Sequence, residues 1–109
     1  MNDLLKKKCV PCEGGALPLD KVQAEKYMHM VTGWELSEDG KNITKTFKFK
    51  DFIGAINFVN KISEIAESEG HHPDINVRYN KVKLILSTHA IGGLSENDFI
   101  LAAKIAASK

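Results

Sequence analysis

The chain has 109 residues, a length that fits one domain with one core. Its 43% hydrophobic and 27% charged residues exclude a fully disordered chain, and 15 basic against 14 acidic side chains, a formal net charge of +1, give no general pull toward nucleic acid or an anionic membrane. The longest uninterrupted apolar run, Phe99 to Ala103, is far too short to span a bilayer, so neither a nucleic-acid nor a membrane partner is expected.

The amino terminus, Met1-Asn-Asp-Leu-Leu-Lys-Lys-Lys8, lacks the apolar stretch of a secretory signal and the Arg/Ser-rich character of a transit peptide. A cytoplasmic location is therefore expected, with Lys6 to Lys8 a solvated end. Both cysteines fall in Cys9-Val-Pro-Cys12. That spacing is half of a four-cysteine zinc site, and it is also a redox spacing. No second pair exists, and Gly14-Gly15 and Pro18 follow, which is loop chemistry rather than the helix start that lowers a thiol pKa. The favoured reading is two thiols in a mobile leader over residues 1–18, with metal or redox work as the minority reading. The folded domain is expected over residues 19–109.

Leu19 to about Val31 reads as a first helix, with Asp20 near its start and Val22, Tyr27 and Met30 at helical spacing. Thr32-Gly33 breaks it. Trp34 to Leu36 reads as a short strand, and Glu38-Asp39-Gly40 as a hairpin turn. Asn42 to Phe49 alternates, with Ile43, Lys45, Phe47 and Phe49 on one face, the period of a half-buried strand. Asp51 can cap a second helix running to about Glu69, whose stripe is Phe52, Ala55, Ile56, Val59, Ile62 and Ala66. Ile53, Phe58 and Ile65 lie off that stripe and suggest a second buried face, against a partner subunit. Gly70 ends the helix.

Ile75, Val77 and Tyr79 alternate in a third strand, and Val82, Leu84, Leu86 and Thr88 in a fourth, with the turn placed near Asn80-Lys81. Ser95 before Glu96-Asn97-Asp98 is a variant capping box with acids on the first turn of a last, alanine-rich helix ending near Ala107. The order is αββαββα. Two hairpins imply an α+β fold with a four-stranded antiparallel sheet and helices packed on one face.

Of the four histidines, His29 stands alone on a helix and needs no role. His71-His72-Pro73 falls where the long helix hands over to the third strand, and His89 falls just past the fourth. A turn near residues 80 and 81 places residue 72 roughly opposite residue 89, so the two sites converge at one end of the sheet. Three readings compete. A metal site is disfavoured because adjacent residues in an extended chain point to opposite sides and Pro73 pushes His72 toward that conformation. Histidine acid–base chemistry needs no cofactor. Polar strand ends need no function at all. Three converging histidines beside a Pro and the Gly92-Gly93 loop shift the balance modestly toward acid–base work. No nucleophile constellation or phosphate loop is visible.

Glu67-Ser-Glu-Gly-His71-His72-Pro73, followed by Tyr79, His89 and Asp98, resembles the signature of the pterin-4a-carbinolamine dehydratases. The likeness continues through Tyr79-Asn-Lys-Val82, Leu86-Ser-Thr-His89 and Gly93-Leu-Ser-Glu96, and upstream through Gly33-Trp34 and Phe47 to Phe52, covering about residues 17 to 107. The Cys-x-x-Cys-Glu-Gly-Gly leader at residues 9–15 resembles that of some bacterial and plant members.

The resemblance implies dehydration of 4a-hydroxytetrahydropterin to the quinonoid dihydropterin, a hydro-lyase activity that recycles a pterin cofactor in tetrahydrobiopterin metabolism. It implies an αββαββα fold assembled as a homodimer or homotetramer. It implies that His71 and His89 are the acid–base pair, that His72 holds the substrate together with Trp34, and that Ser87 to His89, Thr88 included, offer backbone groups to the pterin ring. Glu67 and Asp98 become supporting residues. No metal and no other cofactor is implied, because the substrate's own nitrogen lone pair expels the hydroxyl. The alternative is a non-catalytic pterin-binding or interaction protein on the same scaffold, in a molybdopterin-related or transcriptional cofactor role.

Overall fold

A computed structural model describes residues 3–9 and 17–108. Three helices, α1 (Lys21–Met28), α2 (Phe52–Glu69) and α3 (Glu96–Ser108), accompany four strands, β1 (Glu35–Leu36), β2 (Ile43–Lys48), β3 (Asp74–Arg78) and β4 (Lys81–Leu86). The sheet order is β1-β2-β4-β3 and every pairing is antiparallel, so the two hairpins dock through β2 and β4. This is the expected α+β architecture.

The period-two pattern sorts the faces. Ile43, Phe47, Val82, Leu84 and Leu86 are buried in the core beneath the helices. The paired rows Lys48–Lys81–Arg78 and Thr46–Lys83–Asn76 take the other face, all exposed. The helix α2 starts at Asp51, whose side chain accepts from the Gly54 N–H at 2.8 Å, and buries Ala55, Phe58, Ile62 and Ala66. Phe58 therefore belongs to the main core, tilted against Phe47 and Phe49, whereas Phe52, placed on the expected stripe, is exposed with Ile53. The shift has a simple cause: the sheet presents two aromatic rings, and Phe58 is the α2 residue that meets both.

The first helix is shorter than expected. A capping box between Asp20 and Gln23 opens it, and only Ala24 is fully buried, while Val22 and Met30 are exposed. Tyr27 is its anchor, stacked on Phe99 of α3 at 4.9 Å and donating its hydroxyl to Glu96 at 2.9 Å.

Within the segment expected as a mobile leader, residues 3–9 pack on the domain. A 3-10 turn over Asp3–Lys6 buries Leu4 in the core, and Lys7 pairs with Glu96 at 2.8 Å. Cys12 lies outside the described residues. No helix of the described residues is long and apolar enough to cross a membrane.

The β3–β4 turn differs by one residue from the expected place. Arg78 pairs with Lys81, so Tyr79 and Asn80 form the two-residue link, with Tyr79 in the left-handed region at φ 50. Asn80 is clasped to the residue after β2: its side chain donates to the Phe49 carbonyl and its own carbonyl accepts from the Phe49 N–H. The ladder pairs Asp74 with Ile85, and continuing it brings His72 level with Ser87 and His71 level with Thr88. Convergence at one end of the sheet stands; the opposite number of His72 is Ser87 rather than His89.

Candidate active site

Three chain segments meet at that end. The first is the exit from α2. Gly70 takes the left-handed conformation, φ 67 and ψ 24, and ends the helix; the Gly70 and His71 N–H groups both return to the Ala66 carbonyl. Pro73 then keeps His72 extended, so the two histidine rings diverge. His72 Nε2 lies 2.8 Å from Glu67 Oε1 on the solvent side, whereas His71 turns inward and its side chain is only 12% exposed.

The second segment follows β4. Thr88 forms an isolated bridge with Gly93, giving its N–H to the Gly93 carbonyl at 2.8 Å while its own carbonyl accepts from Ile91 and Gly93. His89 opens the 3-10 turn His89–Ile91 inside this loop. A side chain at Gly93 has no room, since an added Cβ would sit 2.8 Å from Pro18 Cβ. The third segment is the start of α3. Asp98, in its first turn, reaches back to the Ser95 N–H at 3.0 Å, half of a capping box.

Asp98 joins the three. It is fully buried. One carboxylate oxygen, Oδ1, lies 2.6 Å from His71 Nε2; the other, Oδ2, accepts from the Thr88 hydroxyl at 2.8 Å and from the Ser95 N–H. Ser95 Oγ stands 2.7 Å from Thr88 Oγ1. A buried carboxylate holding an imidazole is an arrangement that orients a proton-transfer group.

On the other flank of α3, Glu69 takes Lys104 Nζ at 2.7 Å and the Cys9 N–H at 2.8 Å. Burial pushes the Glu69 carboxyl up, but the Lys104 ammonium and the Cys9 N–H outweigh it, and the net direction is down. The Cys9 thiol is pushed up to about 12, first by burial and then by the Glu69 charge. Lys7, against burial, holds Glu96 below the usual carboxylate range with help from the Tyr27 hydroxyl, and burial together with Glu96 raises the Tyr27 phenol.

The residues expected at the site divide as follows. His71, Thr88 and Asp98 are bonded together, and His72 and Glu67 form an exposed pair beside them. The His89 ring is exposed and has no hydrogen-bond partner among the described residues. The Ser87 hydroxyl donates to the Lys41 carbonyl at 2.8 Å. The Thr88 backbone groups, which the resemblance assigned to the pterin ring, are engaged by the bridge to Gly93 and the turn at Ile91, and its hydroxyl is bonded to Asp98. Trp34 is buried before edge strand β1, edge-on to Phe47, and no bond or ring contact among the described residues links it to the histidines. Ser95 was read only as a helix start. Its spacing to Asp98 was the available signal, but the bond to Thr88 is tertiary and leaves no local pattern.

A sequence model of the family described as pterin 4 alpha carbinolamine dehydratase matches residues 17–108. A Halorhodospira halophila protein provisionally named pterin-4-alpha-carbinolamine dehydratase is 50% identical over 94% of this chain and 94% of its own. One of the same provisional name from Nitrosospira multiformis is 49% identical over 96% and 91%. Among solved structures, a transcriptional coactivator/pterin dehydratase from Brucella melitensis superposes with a TM-score of 0.78 at 33% identity, covering 83% of this chain and 96% of that one. A pterin dehydratase-like protein described as a RuBisCO assembly factor in the alpha-carboxysome shares the fold, with a TM-score of 0.60 at 22% identity over 69% and 87% of the two chains. From its residue pattern, its fold and these relatives, the chain belongs to the pterin 4 alpha carbinolamine dehydratase family.

Proposed function

We propose that this protein is a hydro-lyase that converts a 4a-hydroxytetrahydropterin to the quinonoid dihydropterin and water, returning the pterin to use. The observation that carries the reading is the inward-turned His71 held on the buried Asp98 carboxylate. The C4a–O bond breaks with its electron pair on oxygen, and a proton from an imidazolium converts the departing hydroxide to water. The lone pair of the neighbouring ring nitrogen forms the new C=N bond, and that nitrogen loses its proton to a neutral imidazole or to water. The carbinolamine supplies all the electrons, so the reaction needs no redox partner.

His71 and His89 share the two proton transfers in this reading, and His72, steadied by Glu67, holds the pterin. Positioned acid–base groups of this kind typically contribute about 10²–10⁴-fold. The enzyme works as a homo-oligomer in the cytoplasm.

The test is a direct assay with enzymatically generated 4a-hydroxytetrahydropterin, corrected for the uncatalysed background. His71→Ala and His89→Ala should each lower kcat/KM by about 10²-fold or more, and the double variant should lose less than the sum, because residues acting as a unit are not additive. His72→Ala should act mainly on KM. If all three folded variants dehydrate at the wild-type rate, the reading fails, and a binding role on the same scaffold replaces it.

A further inference from the structure

We infer that His71 works through Nδ1, with its Nε2 kept protonated by Asp98, and that Thr88 and Ser95 are positioning residues that fix the Asp98 carboxylate for this purpose. The effect on rate rests on the dehydratase reading above; the protonation pattern does not.

The argument follows the donors. The Ser95 backbone N–H can only donate, and it faces Asp98 Oδ2. The Thr88 hydroxyl has one proton, and it is directed to the same oxygen. The Thr88 oxygen is then the acceptor in its 2.7 Å contact with Ser95, so the Ser95 hydroxyl donates to it. The result is a directional chain: Ser95 O–H to Thr88 O–H to Asp98 Oδ2. Two donors on Oδ2 fix the carboxylate plane and aim Oδ1 at His71 Nε2, 2.6 Å away. Oδ2 already takes two donors and a carboxylate has no hydrogen of its own to give, so the shared proton belongs to the nitrogen. A neutral His71 therefore carries its lone pair on Nδ1, which has no hydrogen-bond partner among the described residues. A charged His71 has its transferable proton there.

Burial makes the chain effective. Asp98 is fully buried and Thr88 nearly so, and bonds to a charged acceptor gain strength away from water. The backbone of Thr88 already makes the bridge to Gly93. Its hydroxyl is not needed for that bridge, and Thr88→Val removes the hydroxyl while keeping the backbone and the branched shape.

The pattern also predicts what Asp98→Asn does. Two donors still face the Oδ2 position, so the amide oxygen must go there. The amide NH₂ then faces His71 Nε2, and a donor meeting a nitrogen demands the lone pair on it. The proton moves to Nδ1, and the catalytic lone pair is lost.

The experiment is ¹⁵N NMR of the histidine-labelled full chain at about pH 8.5, roughly two units above the ordinary imidazole value, together with the dehydration assay. The wild type should show His71 as the Nε2–H tautomer, and Asp98→Asn should show it as Nδ1–H with kcat lowered about 10²-fold or more. Thr88→Val should weaken the Nε2–H preference and lower kcat about tenfold with little change in KM, and Thr88→Ser should recover most of that loss. A wild-type His71 in the Nδ1–H tautomer overturns the inference. So does a Thr88→Val protein with unchanged His71 signals and kcat within twofold of wild type. An Nε2–H wild type with no dehydratase activity refutes the proposed function while leaving the Nδ1 assignment standing.

Discussion

Alkylation of Cys9 measures how closely the amino-terminal segment is held on the domain. Burial and the nearby Glu69 carboxylate raise its thiol from an ordinary 9.0 to about 12. The thiolate is the reactive species. At pH 8 an ordinary thiol is about one-tenth thiolate, whereas a thiol at 12 is about one part in 10⁴, a difference of roughly 10³-fold in rate. The assay follows iodoacetamide addition by intact mass in Cys12→Ser protein, against a short peptide of residues 6–12 carrying the same change. Glu69→Gln should speed the reaction, since the carboxylate charge is the second cause of the shift. A folded protein whose Cys9 reacts within tenfold of the peptide would refute the reasoning. The same shift sets a sign for stability. The folded state favours the protonated thiol, so this contribution is intact below about pH 9 and is lost as pH rises toward 12. A thiol so reluctant to ionise is a slow nucleophile at neutral pH.

Lys104→Met should destabilise the domain by about 3 kcal/mol in urea unfolding, because it leaves the nearly buried Glu69 carboxylate without its cation; the double variant with Glu69→Gln should recover part of the loss. Glu69 and Glu96 both have lowered values, so their contributions are present above the ordinary carboxylate value of about 4.3 and vanish as pH falls through the folded values. The urea midpoint should accordingly fall between about pH 5 and pH 3, and a flat profile there would count against both pairs. Exposed Ile53 and Phe52 on α2, with sheet edges β1 and β3 unpaired among the described residues, predict a homo-oligomer. Sedimentation at micromolar concentration should show it, Ile53→Asp should shift it toward single chains, and a wild type that sediments only as one chain would contradict the prediction.

The sequence made legible whatever is periodic or local. Alternation in Val82, Leu84 and Leu86 marked the buried face of β4, and Asp51 and Gly70 marked both ends of α2. Contacts between distant segments were not legible in the same way. Phe58 reads as off-stripe until the aromatic pair Phe47 and Phe49 is set beneath it. Leu4 looks like part of a polar leader, and only the surface of α3 shows why it is buried. The hairpin turn was misplaced by one residue because Tyr79 adopts a positive φ, which side-chain chemistry would sooner assign to Asn80. For the site, the residue types were legible and the grouping was partly so: His71 and Asp98 belong to one motif, but the bond between them runs from a helix exit to a helix entrance.

That bond places structural and functional demands on one side chain. Asp98 caps α3 through the Ser95 N–H and orients His71 through its other oxygen. Loss of the capping bond costs about 1 kcal/mol in typical helices, whereas loss of an orienting carboxylate costs a base its correct protonation state. The two demands are separable by variant. Asp98→Asn keeps a carbonyl oxygen for the Ser95 N–H and so preserves the cap, while it reverses the hydrogen bond offered to His71. Thr88→Val leaves the Ser95 N–H on Asp98 and so preserves the cap, while it removes the hydroxyl that donates to Oδ2 and accepts from Ser95. A fold that needed Asp98 for the helix start alone would tolerate the first change with little loss of rate. The Thr88 hydroxyl on the same oxygen is what a cap does not require, and it is this extra donor, buried and aimed, on which the proposed acid–base role of the carboxylate rests.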